Sequence, residues 1–328
     1  MTSDLIRCTA RKIRSMLEKR LVSPTELLEC LASRVTSIDP LVNALPTLCF
    51  ERAAQDIKNR DFSQTPLRGL PIVIKDLMAV SGVRTTWGSK IYENHIPVES
   101  DLLVDRLEEQ GAVVYAKSNT PEFGAGANTF NEVFGITRNP WDTTRSAAGS
   151  SGGSAVALAT GMAWLATGSD LGGSLRNPAS FCGVVGLRPT IGRVPADPGD
   201  LAFDRLSVDG PMARNIGDLA MLFDTMVGRD HQEIVGAAGV EEFGKASVEC
   251  LEAAPVSLRI ATMAVEGVKI DEVAEDHPRR GSQNRIQQAR GPADPAGRHQ
   301  SDRLQSRRPT FGIWRHRLHT SCARSRQR

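Results

Sequence analysis

Two runs of serine and glycine lie close together in this sequence, AGSSGGS at residues 148–154 and GSDLGGSLR at residues 168–176. Such runs form linkers, phosphate-binding loops or parts of active sites. A linker is disfavoured because the first run continues directly into AVALATGMA, which is typical of a buried helix. A Walker-type phosphate loop ends in Gly-Lys-Ser/Thr, and no lysine occurs between Lys117 and Lys245. The serines are therefore candidate nucleophiles.

A serine nucleophile needs a base that accepts its proton. Before residue 277 the only histidines are His95 and His231, and neither stands in a catalytic context, so a Ser–His–Asp triad is poorly supported. A lysine can replace histidine only when it is neutral, which requires burial to lower its pKa from ~10.4 by roughly 3 to 4 units. Lys75 is the best candidate among eight lysines, because it follows the apolar run GLPIVI and precedes Asp76.

The surrounding pattern alternates between strands and helices. Ser23–Glu26 is a helix start with Ser23 as the cap, and Asp39–Pro40 is expected to end that helix. Buried strands are predicted from apolar runs at 70–74, 112–116, 163–167, 183–187 and 258–262. Helices are predicted at 99–110, 153–161 and 216–227. This alternation favours a layered α/β domain.

The composition is that of an ordinary globular protein, with 40% hydrophobic and 24% charged residues in 328. No apolar run approaches the length of a membrane span, and the first twenty residues lack the apolar block of a secretory signal. The six cysteines have no metal-ligand spacing and are expected to be thiols in a reducing compartment. We therefore expect a cytoplasmic protein that makes no membrane contact.

Residues 277–328 differ from the rest of the chain. They contain thirteen arginines and no lysine, and Asp294 and Asp302 are their only acids. This segment has no helical or strand period, which is typical of a disordered tail, and a shifted reading frame would give the same composition. A nucleic-acid-binding tail is the weaker alternative, since only Phe311 and Trp314 supply interleaved aromatic rings.

Four separated blocks resemble the amidase signature family, in the order that the family has them. They are RGLPIVIKD (68–76), NPWDTTRSAAGSSGGSAVALATG (139–161), GSDLGGSLRNPASFCGVVGLRPTIGRVP (168–195) and VDGPMARNIGDLAMLFD (208–224). The resemblance covers about residues 5–270 and implies an α/β fold with a large twisted mixed sheet flanked by helices. It implies an N-terminal helical segment at 1–60 and an incomplete core at 61–270, with the C-terminal part of the domain missing beyond about residue 276.

The resemblance also implies a Ser–cisSer–Lys triad. Ser174 matches the nucleophile, Lys75 the base, and Ser150 the serine that relays the proton between them. The family holds the relay serine after a cis peptide, here Gly149–Ser150.

Further site residues follow from the same resemblance. The backbone N–H groups expected to bind the oxyanion are those of Leu171, Gly172, Gly173 and Ser174. Asp170 and Arg176 are expected to brace the nucleophile loop, Ser151 to donate a hydrogen bond, and Gly124 to line the acyl pocket. Cys182 is expected to be buried packing.

The implied activity is hydrolysis of a small linear amide to an acid and an amine or ammonia, without metal or cofactor. The sequence leaves a homodimer open and disfavours nucleic acid as a partner. One alternative is a glutaminase component of a complex that amidates mischarged tRNA, although such members usually carry threonine where this chain has Leu171. Another is an inactive remnant that keeps the triad without a competent pocket, for which the test is a cooperative melting transition.

Overall fold

The computed structural model describes residues 2–195 and 206–228, which all lie in one compact unit. Its α-helices are α1 (Thr2–Arg7), α2 (Ala10–Glu18), α3 (Pro24–Val42), α4 (Phe50–Asn59), α5 (Leu102–Glu109), α6 (Gly152–Ala159), α7 (Arg176–Cys182) and α8 (Ile216–Met226). Its strands are β1 (Thr47–Leu48), β2 (Leu70–Lys75), β3 (Ala112–Ser118), β4 (Phe130–Asn131), β5 (Gly135–Ile136), β6 (Leu165–Asp170), β7 (Val185–Gly186) and β8 (Val208–Ala213). The predicted strand at 258–262, His231 and the segment 277–328 lie outside the described residues.

The main sheet is mixed and has six described strands in the order β1-β3-β2-β6-β8-β7. Strands β3, β2 and β6 run parallel at its centre, and the other pairings are antiparallel. Every residue of the three parallel strands is buried, as expected for strands covered on both faces. This confirms the predicted α/β fold with a large mixed sheet and flanking helices.

The helices pack against the sheet because their apolar residues meet the buried strands. Helix α3 contacts β2, α4 and α5 contact β3, and α8 contacts β8. The core includes the fully buried rings of Trp164 and Tyr115, and the Tyr115 hydroxyl donates to the carbonyl of Met162. A buried tyrosine with a partnered hydroxyl avoids the cost of an unsatisfied polar group.

Helix α3 begins as predicted but continues past its predicted end. Ser23 and Glu26 form a reciprocal capping box, and Pro24 occupies the first turn. The helix runs through Pro40 to Val42 and ends at Asn43, which is left-handed with φ +52°. The prediction that Asp39–Pro40 ends the helix is therefore wrong. Pro40 lies in the last turn, where the missing N–H removes only one of the final hydrogen bonds.

Two predicted strands have different bounds in the structure. The apolar run at 163–167 predicts a strand there, but β6 starts at Leu165 and extends to Asp170. Ala163 instead belongs to the turn after α6, where its N–H donates to the carbonyl of Ala157. The polar end of β6 is strand because all six residues pair with β8. The run 183–187 reduces to β7, Val185–Gly186.

The four cysteines within the described residues are free thiols: Cys8, Cys30, Cys49 and Cys182. Cys182 is fully buried, and burial raises the pKa of its thiol to about 12, which makes it a packing residue as predicted. No helix in the described ranges is long and apolar enough to cross a membrane.

A second buried lysine lies on β3 next to the candidate base. Lys117 Nζ lies 3.1 Å from Asp76 Oδ1 and donates to the Met78 carbonyl at 2.6 Å and to Thr85 Oγ1 at 2.8 Å. Asp76 also accepts from the hydroxyl of Thr86 at 2.7 Å. Both charged side chains are at most 1% exposed. Every charge at this pair is therefore compensated by hydrogen bonds or by the partner.

We expect Lys117→Met to lower the free energy of unfolding by about 3–5 kcal/mol, because it leaves the Asp76 carboxylate buried without its cation. Urea denaturation measures this loss. The matched control is Lys90→Met, which breaks an exposed pair with Glu132 and should change stability little. The double variant Lys117→Met with Asp76→Asn should recover part of the loss, and a single variant as stable as the wild type would contradict the expectation.

Candidate active site

The predicted site residues meet where parallel strands end at one edge of the sheet. Lys75 is the last residue of β2 and Asp170 the last residue of neighbouring β6. Helix α6 begins directly after Ser151, so its N-terminus lies against the same edge. The carboxyl ends of parallel strands are the usual position for ligand sites in α/β folds.

Lys75 is fully buried and its amine is held by two hydroxyls. Nζ donates to Ser150 Oγ at 2.7 Å and to Ser169 Oγ at 2.9 Å, and the Lys75 backbone N–H donates to Thr167 Oγ1 at 3.0 Å. Sequence reasoning missed Ser169 and Thr167. Their spacing could have indicated them, since two polar residues at positions i and i+2 of a buried strand point to the same face of the sheet.

The electrostatic environment favours a neutral amine. Burial lowers the pKa of Lys75 from 10.5 to about 7, although the carboxylates of Asp209 and Asp170 oppose this shift. Asp209 lies on β8 opposite Ser169, one strand farther from Lys75 than Ser169 is. At neutral pH a substantial fraction of Lys75 is therefore uncharged and able to accept a proton.

Ser150 follows the cis peptide Gly149–Ser150, as the resemblance implied, and it is buried. Gly124 lies beside it in the 3-10 helix Glu122–Gly124. A Cβ at Gly124 would lie 3.6 Å from Ser150 Oγ and only 2.6 Å from Leu77 Cδ1, and the residue has φ +69°. The positive φ therefore favours glycine here, and a Cβ would also displace the Leu77 side chain.

Ser151 connects the two serine-glycine runs. Its backbone N–H donates to the Ser174 carbonyl at 3.2 Å. Its hydroxyl accepts from the Ser169 N–H and donates to the Ser169 carbonyl, both at 3.3 Å. These hydrogen bonds bring the loop that carries Ser174 against the start of α6. Ser174 is therefore hydrogen-bonded, through its carbonyl, to Ser151, the residue that directly follows Ser150.

Ser174 itself is partly exposed. Within the described part of the chain its hydroxyl makes no hydrogen bond, and the expected contact from Ser174 Oγ to Ser150 Oγ is not formed. Of the three predicted triad members, the structure thus joins Lys75 to Ser150 directly and brings Ser174 near them through its backbone.

Asp170 organises the loop before Ser174. It is fully buried and accepts from the Gly173 N–H at 2.7 Å and the Leu175 N–H at 3.1 Å. Arg176 donates to both of its carboxylate oxygens, at 2.9 and 3.0 Å, and Arg188, which sequence reasoning missed, lies 3.4 Å away. Burial alone would raise the pKa of Asp170, but these hydrogen bonds hold it well below its usual range.

The loop also presents backbone donors at its tip. Within residues 2–195 and 206–228 the N–H groups of Leu171, Gly172 and Ser174 make no hydrogen bond, whereas that of Gly173 is taken by Asp170. Three of the four N–H groups expected to bind an oxyanion are therefore available in this structure. Gly173 has φ +114°, a conformation that only glycine adopts without strain.

A metal has no evident ligand set in the described ranges, since no group of three or more His, Cys, Asp or Glu side chains is arranged to hold one. What the site can do chemically is transfer a proton from a hydroxyl to a buried amine beside a row of backbone N–H donors.

Comparisons with known proteins point to one family. A family model described as Amidase matches residues 26–276. A glutamyl-tRNA(Gln) amidotransferase subunit from Thermoanaerobacter pseudethanolicus is 40% identical over 236 residues, which cover 70% of this chain and 48% of that protein.

Two solved structures are also similar. Peptide amidase from Stenotrophomonas maltophilia has a TM-score of 0.63 at 28% identity, over 73% of this chain and 52% of its own. The 6-aminohexanoate cyclic dimer hydrolase complexed with substrate has a TM-score of 0.65 at 33% identity, over 71% and 49%.

The matched region is a part of each of these relatives. The chain spans about half the length of the curated relatives it matches.

Proposed function

Since this chain belongs to the amidase family, we propose that it hydrolyses a carboxylic amide to an acid and an amine or ammonia through an acyl-enzyme on Ser174. The observation that supports this best is the fully buried Lys75 amine 2.7 Å from Ser150 Oγ. A buried lysine with a pKa of about 7 is the kind of base that a serine nucleophile needs.

The acylation step would move one proton along this chain of groups. Ser174 Oγ attacks the amide carbonyl carbon and gives its proton to Ser150 Oγ, whose own proton passes to neutral Lys75 Nζ. At 2.7 Å the hydrogen bond between these two groups can also run from the Ser150 hydroxyl to the lone pair of the neutral amine. The step requires Ser174 Oγ to come within hydrogen-bond distance of Ser150 when substrate binds, since catalytic contacts often tighten only in the complex.

The negative charge that develops on the carbonyl oxygen would be bound by the loop N–H groups of Leu171, Gly172 and Ser174. Each such donor contributes about 3 kcal/mol to stabilising the tetrahedral intermediate. Collapse of that intermediate breaks the C–N bond, and the proton on Lys75 returns through Ser150 to the leaving amine. Water then attacks the acyl-enzyme by the same relay, which releases the acid and restores the Ser174 hydroxyl.

A second candidate is a glutaminase that serves an amidotransferase. The relative that is 40% identical is named as a component of glutamyl-tRNA(Gln) amidotransferase, which favours this candidate. The chemistry on Ser174 would be the same, with the glutamine side-chain amide as substrate. Ammonia release from glutamine that rises on adding the other components of such a complex would support it over the free-standing amidase.

The reaction of a fluorophosphonate with the protein tests the proposed base and nucleophile together. We expect covalent labelling whose rate rises about tenfold per pH unit below pH 7 and levels off above it, because the base works only when Lys75 is neutral and its pKa is about 7. Intact-mass spectrometry at a series of pH values measures this rate. A labelling rate that is flat between pH 5 and 9 would contradict a lysine base with this pKa.

A further inference from the structure

Four aromatic rings form a cluster in the part of the chain that leads to the candidate site. The aromatic cluster consists of Trp87, Tyr92, His95 and Phe123. Trp87 and Tyr92 meet edge to face with ring centroids 4.8 Å apart, and Tyr92 and Phe123 do so at 6.2 Å. His95 packs 5.2 Å from Trp87. Edge-to-face pairs of this kind hold each other in fixed orientations.

This cluster is attached to the residues that surround Ser150. Trp87 Nε1 donates to the Leu77 carbonyl at 3.2 Å, and the Phe123 N–H donates to the Trp87 carbonyl at 2.7 Å. Phe123 directly precedes Gly124, whose Cβ position lies 3.6 Å from Ser150 Oγ. The aromatic cluster is therefore adjacent in sequence to Gly124, the glycine that lies beside the Ser150 hydroxyl.

Two rings of the cluster, Phe123 and Tyr92, lie exposed at the surface, and Trp87 and His95 are half-buried. The Phe123 side chain is 53% exposed and that of Tyr92 is 38% exposed. Phe123 and Trp87 have φ values of +50° and +49°, a left-handed conformation that is uncommon for bulky residues. The chain thus keeps an unfavourable backbone conformation at two positions of the cluster, which forms an aromatic wall that adjoins Gly124.

Two charged residues near this wall have partners. Lys90 Nζ lies 3.1 Å from a carboxylate oxygen of Glu132. Glu122 accepts from the hydroxyl of Ser89 at 2.7 Å. The exposed Phe123 ring carries no polar atom, so the surface that it offers to a ligand favours another aromatic or apolar group over a charged one.

We propose that the aromatic cluster is a specificity wall that selects amides carrying an aromatic ring next to the scissile bond, with Phe123 as the ring in contact with substrate. This inference rests on the proposed amide hydrolysis at Ser174. The substrate ring would pack against the exposed face of Phe123 while its amide carbonyl lies at the loop N–H groups. The ring can belong to the acyl part or to the amine part of the substrate, and two test compounds distinguish these cases.

The test compares kcat/KM for benzamide, whose ring is on the acyl side, for acetanilide, whose ring is on the amine side, and for acetamide, which has none. We expect the wild type to prefer at least one aryl amide over acetamide. Phe123→Ala should lower that preference about 10- to 100-fold, the range that loss of apolar contact in a specificity pocket produces. Phe123→Leu should keep part of it, because leucine fills space without a ring.

The matched control is Phe130→Ala, since Phe130 is 58% exposed and makes no ring contact within the described residues. Its preference ratio should equal that of the wild type, and thermal melting of each variant verifies folding. Two results would overturn this inference alone. Either Phe123→Ala labels at Ser174 and keeps the preference ratio of the wild type, or the wild type labels at Ser174 and turns over neither aryl amide. Absence of both labelling and turnover would overturn the proposed function, and this inference with it.

Discussion

Ser174→Ala is expected to abolish fluorophosphonate labelling and to lower kcat for amide hydrolysis by about 10⁴-fold or more. The reason is that alanine removes the atom on which the acyl-enzyme forms, and no other hydroxyl in the site can replace it without moving. Ser150 is 2% exposed and hydrogen-bonded to Lys75, which makes it a poor substitute nucleophile. Intact-mass spectrometry and ammonia release measure the two effects.

The matched control for this variant is Ser180→Ala, which replaces an exposed serine six residues farther along, in α7. It should label and turn over as the wild type does. The Ser174 variant should also melt cooperatively at an unchanged temperature, because the hydroxyl makes no hydrogen bond within the described residues. Labelling that persists in a folded Ser174→Ala protein would refute the assignment of the nucleophile.

Lys75→Met is expected to have two opposite effects, a loss of activity and a gain of stability. The rate of acylation should fall by about 10²–10⁴-fold, because the general base is removed. The free energy of unfolding at pH 7 should rise by about 2–4 kcal/mol. Lowering the pKa of a lysine from 10.5 to about 7 costs about 5 kcal/mol, of which the hydrogen bonds to Ser150 and Ser169 return a part.

The pH dependence of stability gives a sharper test of the same group. Between about pH 7 and 10.5 the unfolded chain keeps a proton on Lys75 that the folded chain has released. The free energy of unfolding of the wild type should therefore rise with pH in this window, by up to about 1.4 kcal/mol per unit from this residue. Lys75→Met should lose this contribution and keep the smaller slope from Lys117, whose pKa burial also lowers, as measured by urea denaturation at several pH values.

The control is Lys58→Met, which replaces an exposed lysine on α4 and should leave both activity and the pH slope unchanged. The contrast with Lys117→Met is informative as well, since Lys117 is equally buried but paired with Asp76. We expect one buried lysine to destabilise the fold and the other to stabilise it. Equal losses of stability in both variants would mean that Lys75 is charged in the folded protein.

The strongest local patterns of the sequence predicted the elements that form. The apolar runs at 70–74 and 112–116 became β2 and β3, because a continuous apolar strand is buried on both faces wherever it lies. The helix start at Ser23 was readable because its cap involves side chains only three residues apart.

Strand β8 and helix α7 are among the elements that the sequence analysis missed, for a reason that lies in their composition. Strand β8 (VDGPMA) contains residues that disfavour strands, and it forms because all six of its residues pair with β6, about 40 positions earlier in the chain. Helix α7 contains Pro178 at its third position, where a proline interrupts no intrahelical hydrogen bond. Pairing with a distant strand leaves no local pattern, and a proline in a first turn resembles a helix end.

The sequence by itself determined which side chains are candidates for the chemistry, because Lys75, Ser150 and Ser174 lie in short motifs whose residue types and order are local properties. Only the tertiary structure decided that the Lys75 amine is buried and hydrogen-bonded to Ser150 and Ser169, which are 75 and 94 positions away. Desolvation is the sum of contacts from β2, β6 and the start of α6, so no single segment encodes it. The same holds for the aromatic wall beside Gly124, whose rings are brought together only when residues 87–95 and 123 fold against each other.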